Sequence, residues 1–298
     1  MTKVKKVSFK GWDNCYQISN EIAELIVTAD IGPRIIKYAL IGQVNEMCVF
    51  EDTAGKTGGD EWNLYGGHRL WHSPEAKPRS YFPDNGKVDV TLIENGIKTS
   101  QPVETTTMIK KELEITLMPD SSEVTIKHYL TNEGMWEIEV AAWALTVMAP
   151  GGLEIVPQEQ FDTDLLPNRM ISLWPYTKLN DHRVTWGEKY IFVKQDPECI
   201  PPFKFGISNS SGWAAYANHN HLFIKKFTHY ENVLYPDYSG SSYETYTKHD
   251  MIELESLSPL VYLAPGETVE HIETWELHDH FQIGIDEDEV DRKILPLI

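Results

Sequence analysis

Apolar and polar residues alternate along most of the chain. Val124, Ile126, His128 and Leu130 fall on one face of a segment whose other face carries Thr125, Lys127 and Tyr129. That two-residue period marks a strand with one buried side. The same reading covers residues 23–30, 34–40, 105–118, 138–148, 190–195, 222–227, 251–257 and 269–277. Turn signals punctuate these runs, among them Ile31-Gly32-Pro33, Asn132-Glu133-Gly134, Pro150-Gly151-Gly152 and Pro265-Gly266-Glu267. The tail alone repeats at helical spacing, with Val290, Ile294 and Leu297 following the acidic run Asp286-Glu287-Asp288-Glu289. Carboxylates in a first turn suit the helix dipole.

Many strands and one short helix predict an all-β sandwich or barrel. No linker, low-complexity tract or fixed-period repeat divides the chain, so one domain over residues 1–298 is expected. Residues 63–87 (NLYGGHRLWHSPEAKPRSYFPDNGK) break the alternation and read as a long, aromatic, ordered loop, the kind of excursion on which sites are built.

Composition narrows the partners. The 298 residues hold 26 Lys+Arg against 45 Asp+Glu, a net charge of −19, which repels phosphate backbones and anionic membrane surfaces. No apolar run approaches the roughly 20 residues of a membrane span, and the basic start lacks the apolar stretch of a secretory signal. Cys15, Cys48 and Cys199 form no CxxC pair, as expected of unpaired thiols in a reducing cytoplasm. Nucleotide-loop, Rossmann and nucleophile-elbow motifs are lacking. Nucleic acid and membranes are thus not expected as partners, and the oligomeric state is left open.

The densest chemistry lies in Gly66-Gly67-His68-Arg69-Leu70-Trp71-His72-Ser73-Pro74-Glu75. Its glycines can admit a ligand close to the backbone, His68 and His72 can exchange protons near neutrality, and Arg69 offers a fork for hydroxyls or oxyanions. Trp71 can stack on a sugar face. A metal bound by His68, His72 and Glu75 needs a helix that two glycines and a proline disfavour, so no metal is expected.

Glu253 and Glu255 share a face opposite Ile252 and Leu254. They are either a solvated surface or the acid–base groups of a polar groove. His128 reads as a core histidine, and His219 and His221 as hairpin residues. The nine tryptophans, several near turns, fit a carbohydrate site and equally a core.

Residues 63–75, 143–152 (WALTVMAPGG) and 253–277 (ELESLSPLVYLAPGETVEHIETWEL) resemble the galactose mutarotase-like superfamily. They look closest to a DUF4380-like branch related to aldose 1-epimerases. The resemblance implies a β-supersandwich of mostly antiparallel sheets, with a small-molecule carbohydrate on one sheet face and no cofactor. It implies an isomerase that interconverts anomers of a free or anionic sugar by Glu/His acid–base catalysis. Glu255 matches the family's Leu-Glu and is the expected base, with Glu253 in reserve.

The family's histidine after Leu-Thr-Asn is replaced here by Glu133, so the acid role would pass to His68 or His72. Arg69, Trp71, Asp181 and Glu253 would bind the sugar. The alternative is a non-catalytic carbohydrate-binding protein on the same fold. Residues 65–87 carry Arg69, Lys77, Arg79 and Lys87 against Glu75 and Asp84, a positive patch expected to accept an anionic sugar.

Overall fold

The computed structural model describes every residue except Ser239. Two antiparallel sheets of eleven and ten strands pack face to face. Across the middle of the first lie Arg34–Leu40, Gly67–Ser73, Ile138–Met148, Met251–Leu257, Tyr243–Lys248 and Phe203–Ile207. The second is centred on Trp213–Asn218, His221–Phe227, Thr268–His278, Val124–Asn132 and Ile109–Leu117. Inward residues of both sheets form one buried cluster: Leu25, Ile35, Leu70 and Leu254 of the first meet Leu113, Ile126, Phe223 and Trp275 of the second. The all-β sandwich read from the alternation is the fold.

The strands fall where the period places them, with ends trimmed by one to four residues: 23–30 stops at Thr28, 190–195 at Lys194, and in 105–118 residues 105–107 form a turn and the strand runs from Ile109 to Leu117. The tail helix spans Glu287–Lys293, and the Asp286 carboxylate caps it by accepting from the N–H groups of Asp288 and Glu289. Val290 and Ile294 seat the helix on Tyr190, Phe192 and Trp213.

Residues 63–87 depart from expectation. Their centre, Gly67–Ser73, is a strand at the middle of the first sheet rather than a loop. It pairs with Ile138–Met148 from Ala141↔Ser73 to Val147↔Gly67, and with Arg34–Leu40 through Arg34↔Arg69 and Ile35↔His68. All seven of its residues are buried. No solvated face exists to produce an apolar–polar period, so the pattern is silent there. The two glycines serve this packing and not a ligand. Gly66 and Gly67 have φ of +85° and +69°, and a Cβ on either would stand 2.2 Å from the carbonyl oxygen of Cys48 or Ile35.

The interior between the sheets also holds ionisable groups, most of them compensated. Lys225 lies 2.8 Å from Glu273 Oε1 and donates to the Leu254 carbonyl at 2.8 Å. Glu154 accepts from the Tyr243 hydroxyl at 2.6 Å and from Thr245 at 2.9 Å. Burial pushes its carboxyl up to about 8, so it is folded in the neutral form at pH 7. Burial likewise pushes the Cys15 and Cys48 thiols up to about 11 and about 12, which makes them poor nucleophiles.

A carboxyl raised by folding contributes its full stabilisation below its unfolded value near 4.5 and loses it as the pH climbs through about 8. Glu154→Gln keeps the acceptor and removes the titration. The variant and the parent are expected to melt together at pH 5, with the variant several degrees higher at pH 9. Parallel melting curves across that range, followed by circular dichroism, would refute the neutral assignment.

Candidate functional site

Strand alternation sends every second residue of the central strands to the outer face of the eleven-stranded sheet. There a cavity of about 360 Å³ opens. Its floor comes from adjacent strands: Arg69 and Trp71, then Trp143 and Leu145, then Glu253 and Glu255, then Tyr246 and Lys248, then Lys204. The register aligns Arg69, Leu145, Glu255 and Glu244 in one row across four strands. Loop residues Trp62, Glu75, Tyr81, Trp174 and Tyr176 complete the walls.

Seven aromatic rings line the cavity. Trp62, Trp71, Tyr81 and Trp143 meet edge to face, with centroids 5.0–5.4 Å apart, the arrangement that aromatic quadrupoles favour.

The buried charges are paired within the floor. Arg69 Nη1 lies 2.9 Å from Glu253 Oε1, and its guanidinium stands 4.6 Å from the Trp71 ring. Lys204 Nζ sits between Glu244 Oε2 at 2.7 Å and Glu255 Oε2 at 2.9 Å. It also stands 4.6 Å from both the Trp143 and the Trp174 ring centres. The Trp143 indole N–H donates to the same Glu255 oxygen at 2.8 Å.

One ammonium against two buried carboxylates leaves an excess negative charge in a desolvated place. Burial, only partly offset by Lys204, raises both the Glu255 and the Glu244 carboxyls above the usual carboxylate range. Burial alone would lower Lys204, but Glu244 and Glu255 more than offset it and hold the ammonium well above the usual lysine range. Glu255 Oε1 has no hydrogen-bond partner, and the residue as a whole has no exposed surface. It borders the cavity at the base of the floor, with no accessible surface of its own.

The expected acid–base set does not converge. Arg69, Trp71, Glu253 and Glu255 all border the cavity, whereas His68 and His72 occupy the opposite face of Gly67–Ser73, inside the sandwich. His68 contacts Thr146 at 2.9 Å, His128 at 2.7 Å and the edge of Trp275. Burial pushes it well below the ordinary histidine range. No histidine borders the cavity among the described residues.

Asp181 also lies away from it. Its carboxylate holds the Arg183 guanidinium through contacts of 2.9 and 2.8 Å. Of the positive patch of residues 65–87, Arg69 is neutralised by Glu253 and Arg79 turns back to the Pro74 carbonyl, while Lys77 stands 5.3 Å from the ring of Tyr81 in the cavity wall. Sequence alone singles out neither Lys204, Glu244 nor Tyr176, and Trp174 only as one of several tryptophans near turns. Lys204 between Phe203 and Phe205 has the pattern of any solvent-facing strand residue.

His68, His72 and Glu75 form no metal centre. Four residues along a strand separate the two histidines by roughly 13 Å, and Glu75 faces the cavity. A different trio, His68, His128 and Glu273, brings its donor atoms within 4.8 Å of one another. Those groups already satisfy each other. The Nε2 atoms of His68 and His128 are 2.7 Å apart, a hydrogen bond rather than the roughly 3.3 Å between two nitrogens on one tetrahedral zinc. Glu273 is held by Lys225, Ser256 and Trp275. His219 and His221, the hairpin pair, place Nδ1 3.3 and 2.6 Å from the two oxygens of Glu46, with His221 buried.

No protein-family model and no curated protein matches the chain. Solved structures do share its fold. A galactose mutarotase-like protein from Lactobacillus casei aligns with a TM-score of 0.58 at 11% identity, over 89% of this chain and 100% of its own. A galactose mutarotase-like protein from Clostridium acetobutylicum gives 0.54 at 11%, over 94% and 98%. A galactose mutarotase related enzyme from Lactobacillus acidophilus gives 0.51 at 10%, over 90% and 98%. The fold is therefore that of galactose mutarotase-like proteins. No helix among the described residues is long and apolar enough to cross a membrane.

Lys204→Met removes the single cation between two buried carboxylates. The expected cost is about 3 kcal/mol at pH 7, measured by urea unfolding, and smaller as the pH falls and the two raised carboxyls take up protons. A loss below about 1 kcal/mol, within the range of a surface pair, would show that Lys204 does not neutralise them.

Proposed function

We propose that the protein binds a neutral carbohydrate in the outer-face cavity, without histidine-dependent turnover. One observation carries the reading: an aromatic-walled cavity whose floor charges are already paired with each other and which no histidine reaches. Aromatic faces suit the C–H faces of a sugar ring, and charge-paired groups accept and donate to hydroxyls without demanding a charged ligand. The cavity falls within the range of about 300–1,000 Å³ that small-molecule sites occupy. Three cations (Arg69, Lys204, Lys248) face three carboxylates (Glu75, Glu253, Glu255) in the lining, which favours a neutral sugar over an anionic one.

The reading takes residues 1–298 as one cytoplasmic unit that needs no metal or cofactor. At a net charge of −19 it also keeps nucleic acid away. Mutarotase-like names among proteins of the same fold support a sugar ligand by analogy.

A second reading, an aldose 1-epimerase-like isomerase, is favoured by the raised Glu255 carboxyl and its unpartnered Oε1. A carboxyl raised above the usual carboxylate range is a stronger base once ionised and can take and return the C1 hydroxyl proton. The ring oxygen would then receive its proton from a group other than histidine.

Calorimetry over a panel of neutral aldoses and short oligosaccharides, joined to saturation-transfer NMR of anomer exchange, separates the two. Saturable binding with no accelerated exchange is expected, weakened at least tenfold in Trp62→Ala. Accelerated exchange that disappears in Glu255→Gln would establish the isomerase instead. No binding across the panel would remove the carbohydrate reading.

A further inference from the structure

A second cavity, of about 330 Å³, lies on the sandwich side of Gly67–Ser73 and is lined by His72, Pro78, Arg79, Thr107, Ile109 and Ile138. His72 is fully buried, yet neither of its ring nitrogens has a hydrogen-bond partner. Buried polar atoms are nearly always partnered, so a histidine with two orphaned nitrogens beside a cavity calls for an occupant. Its neighbours do not supply one. Glu104 is committed to Lys111 at 2.5 Å, to the Thr107 hydroxyl at 2.5 Å and to Gln101 at 3.2 Å. Its Oε2 stands 3.6 Å from His72 Nε2, beyond hydrogen-bond reach.

We propose that this cavity is a binding site for a small uncharged molecule with an apolar body and a hydroxyl group, which donates to His72. Burial lowers the His72 pKa below the ordinary range, with Glu104 only partly opposing it, so the ring is neutral and has one N–H and one bare nitrogen. The Glu104 carboxylate beside Nε2 draws the N–H to that atom and leaves Nδ1 as an acceptor that needs a donor. Pro78, Ile109 and Ile138 supply apolar walls for the rest of the molecule. Lys111 is matched by Glu104. Arg79 donates to the Pro74 carbonyl, and its buried Nε, without a partner, is a donor that the oxygen of the same hydroxyl can use. The site lies on the opposite face of the strand from Arg69 and Trp71, and it stands whether or not the outer-face cavity takes a sugar.

The test uses the full chain labelled with 13C at histidine Cε1, the His72 resonance being assigned by its loss in His72→Gln. Cyclohexanol is the probe, and cyclohexanone, of the same shape without a donor, is its control. The expected result is a saturable shift of the His72 resonance with cyclohexanol and at least fivefold weaker binding of the ketone. In Ile138→Trp, which fills a half-buried wall, that shift is expected to vanish while the other histidine resonances stay in place. No saturable shift of His72, equal affinity for alcohol and ketone, or unchanged binding in a folded Ile138→Trp would each overturn the proposal.

Discussion

Seating Gly67–Ser73 at the middle of the eleven-stranded sheet is the constraint on which both cavities depend. The strand reaches that place because Gly66 and Gly67 let backbone pass within contact of Cys48 and Ile35, where any Cβ would collide. Once it is paired on both sides, alternation leaves no freedom. Arg69 and Trp71 go to the outer face, and His68, Leu70 and His72 go to the sandwich interior. Four polar or aromatic side chains adjacent in sequence are thereby split between two chemical environments that share nothing but a backbone.

Polar groups buried by this arrangement are stabilised by local compensation rather than by solvent. Outside, Lys204 offsets Glu244 and Glu255 while Arg69 offsets Glu253, and tryptophan faces cover both cations. Inside, Lys225 and Glu273 pair, and Ser256 links Glu273 to His271. The outer set lines a cavity and the inner set is closed on itself. Similar chemistry therefore reads as a binding floor in one layer and as a polar core in the other. His72 is the exception, a buried imidazole left without a partner beside open space.

On the proposed reading, the outer cavity recognises shape and hydroxyls. Its floor cations are tied to carboxylates, its faces are aromatic, and the Glu255 oxygen without a partner has no exposed surface. A ligand meeting those surfaces gains ring contact and hydrogen bonds without having to match a net charge. Catalysis would require Glu255, now without exposed surface and held by Lys204 and Trp143, to be uncovered.

How much was legible beforehand follows from which faces meet water. Strands such as Val124–Asn132 and Ile109–Leu117, buried on one side and solvated on the other, declare themselves by period two. The tail helix declares itself through its Asp286 cap and its buried Val290. Gly67–Ser73 is buried on both sides and has no period, so it passed for a loop. The residue types around the site, Glu253, Glu255, Arg69 and Trp71, were determined by the sequence. Their grouping with Lys204 and Glu244, and their separation from His68 and His72, were decided by the tertiary structure. Strand order and register bring residues tens to hundreds of positions apart into one row, and local pattern carries no information about that order.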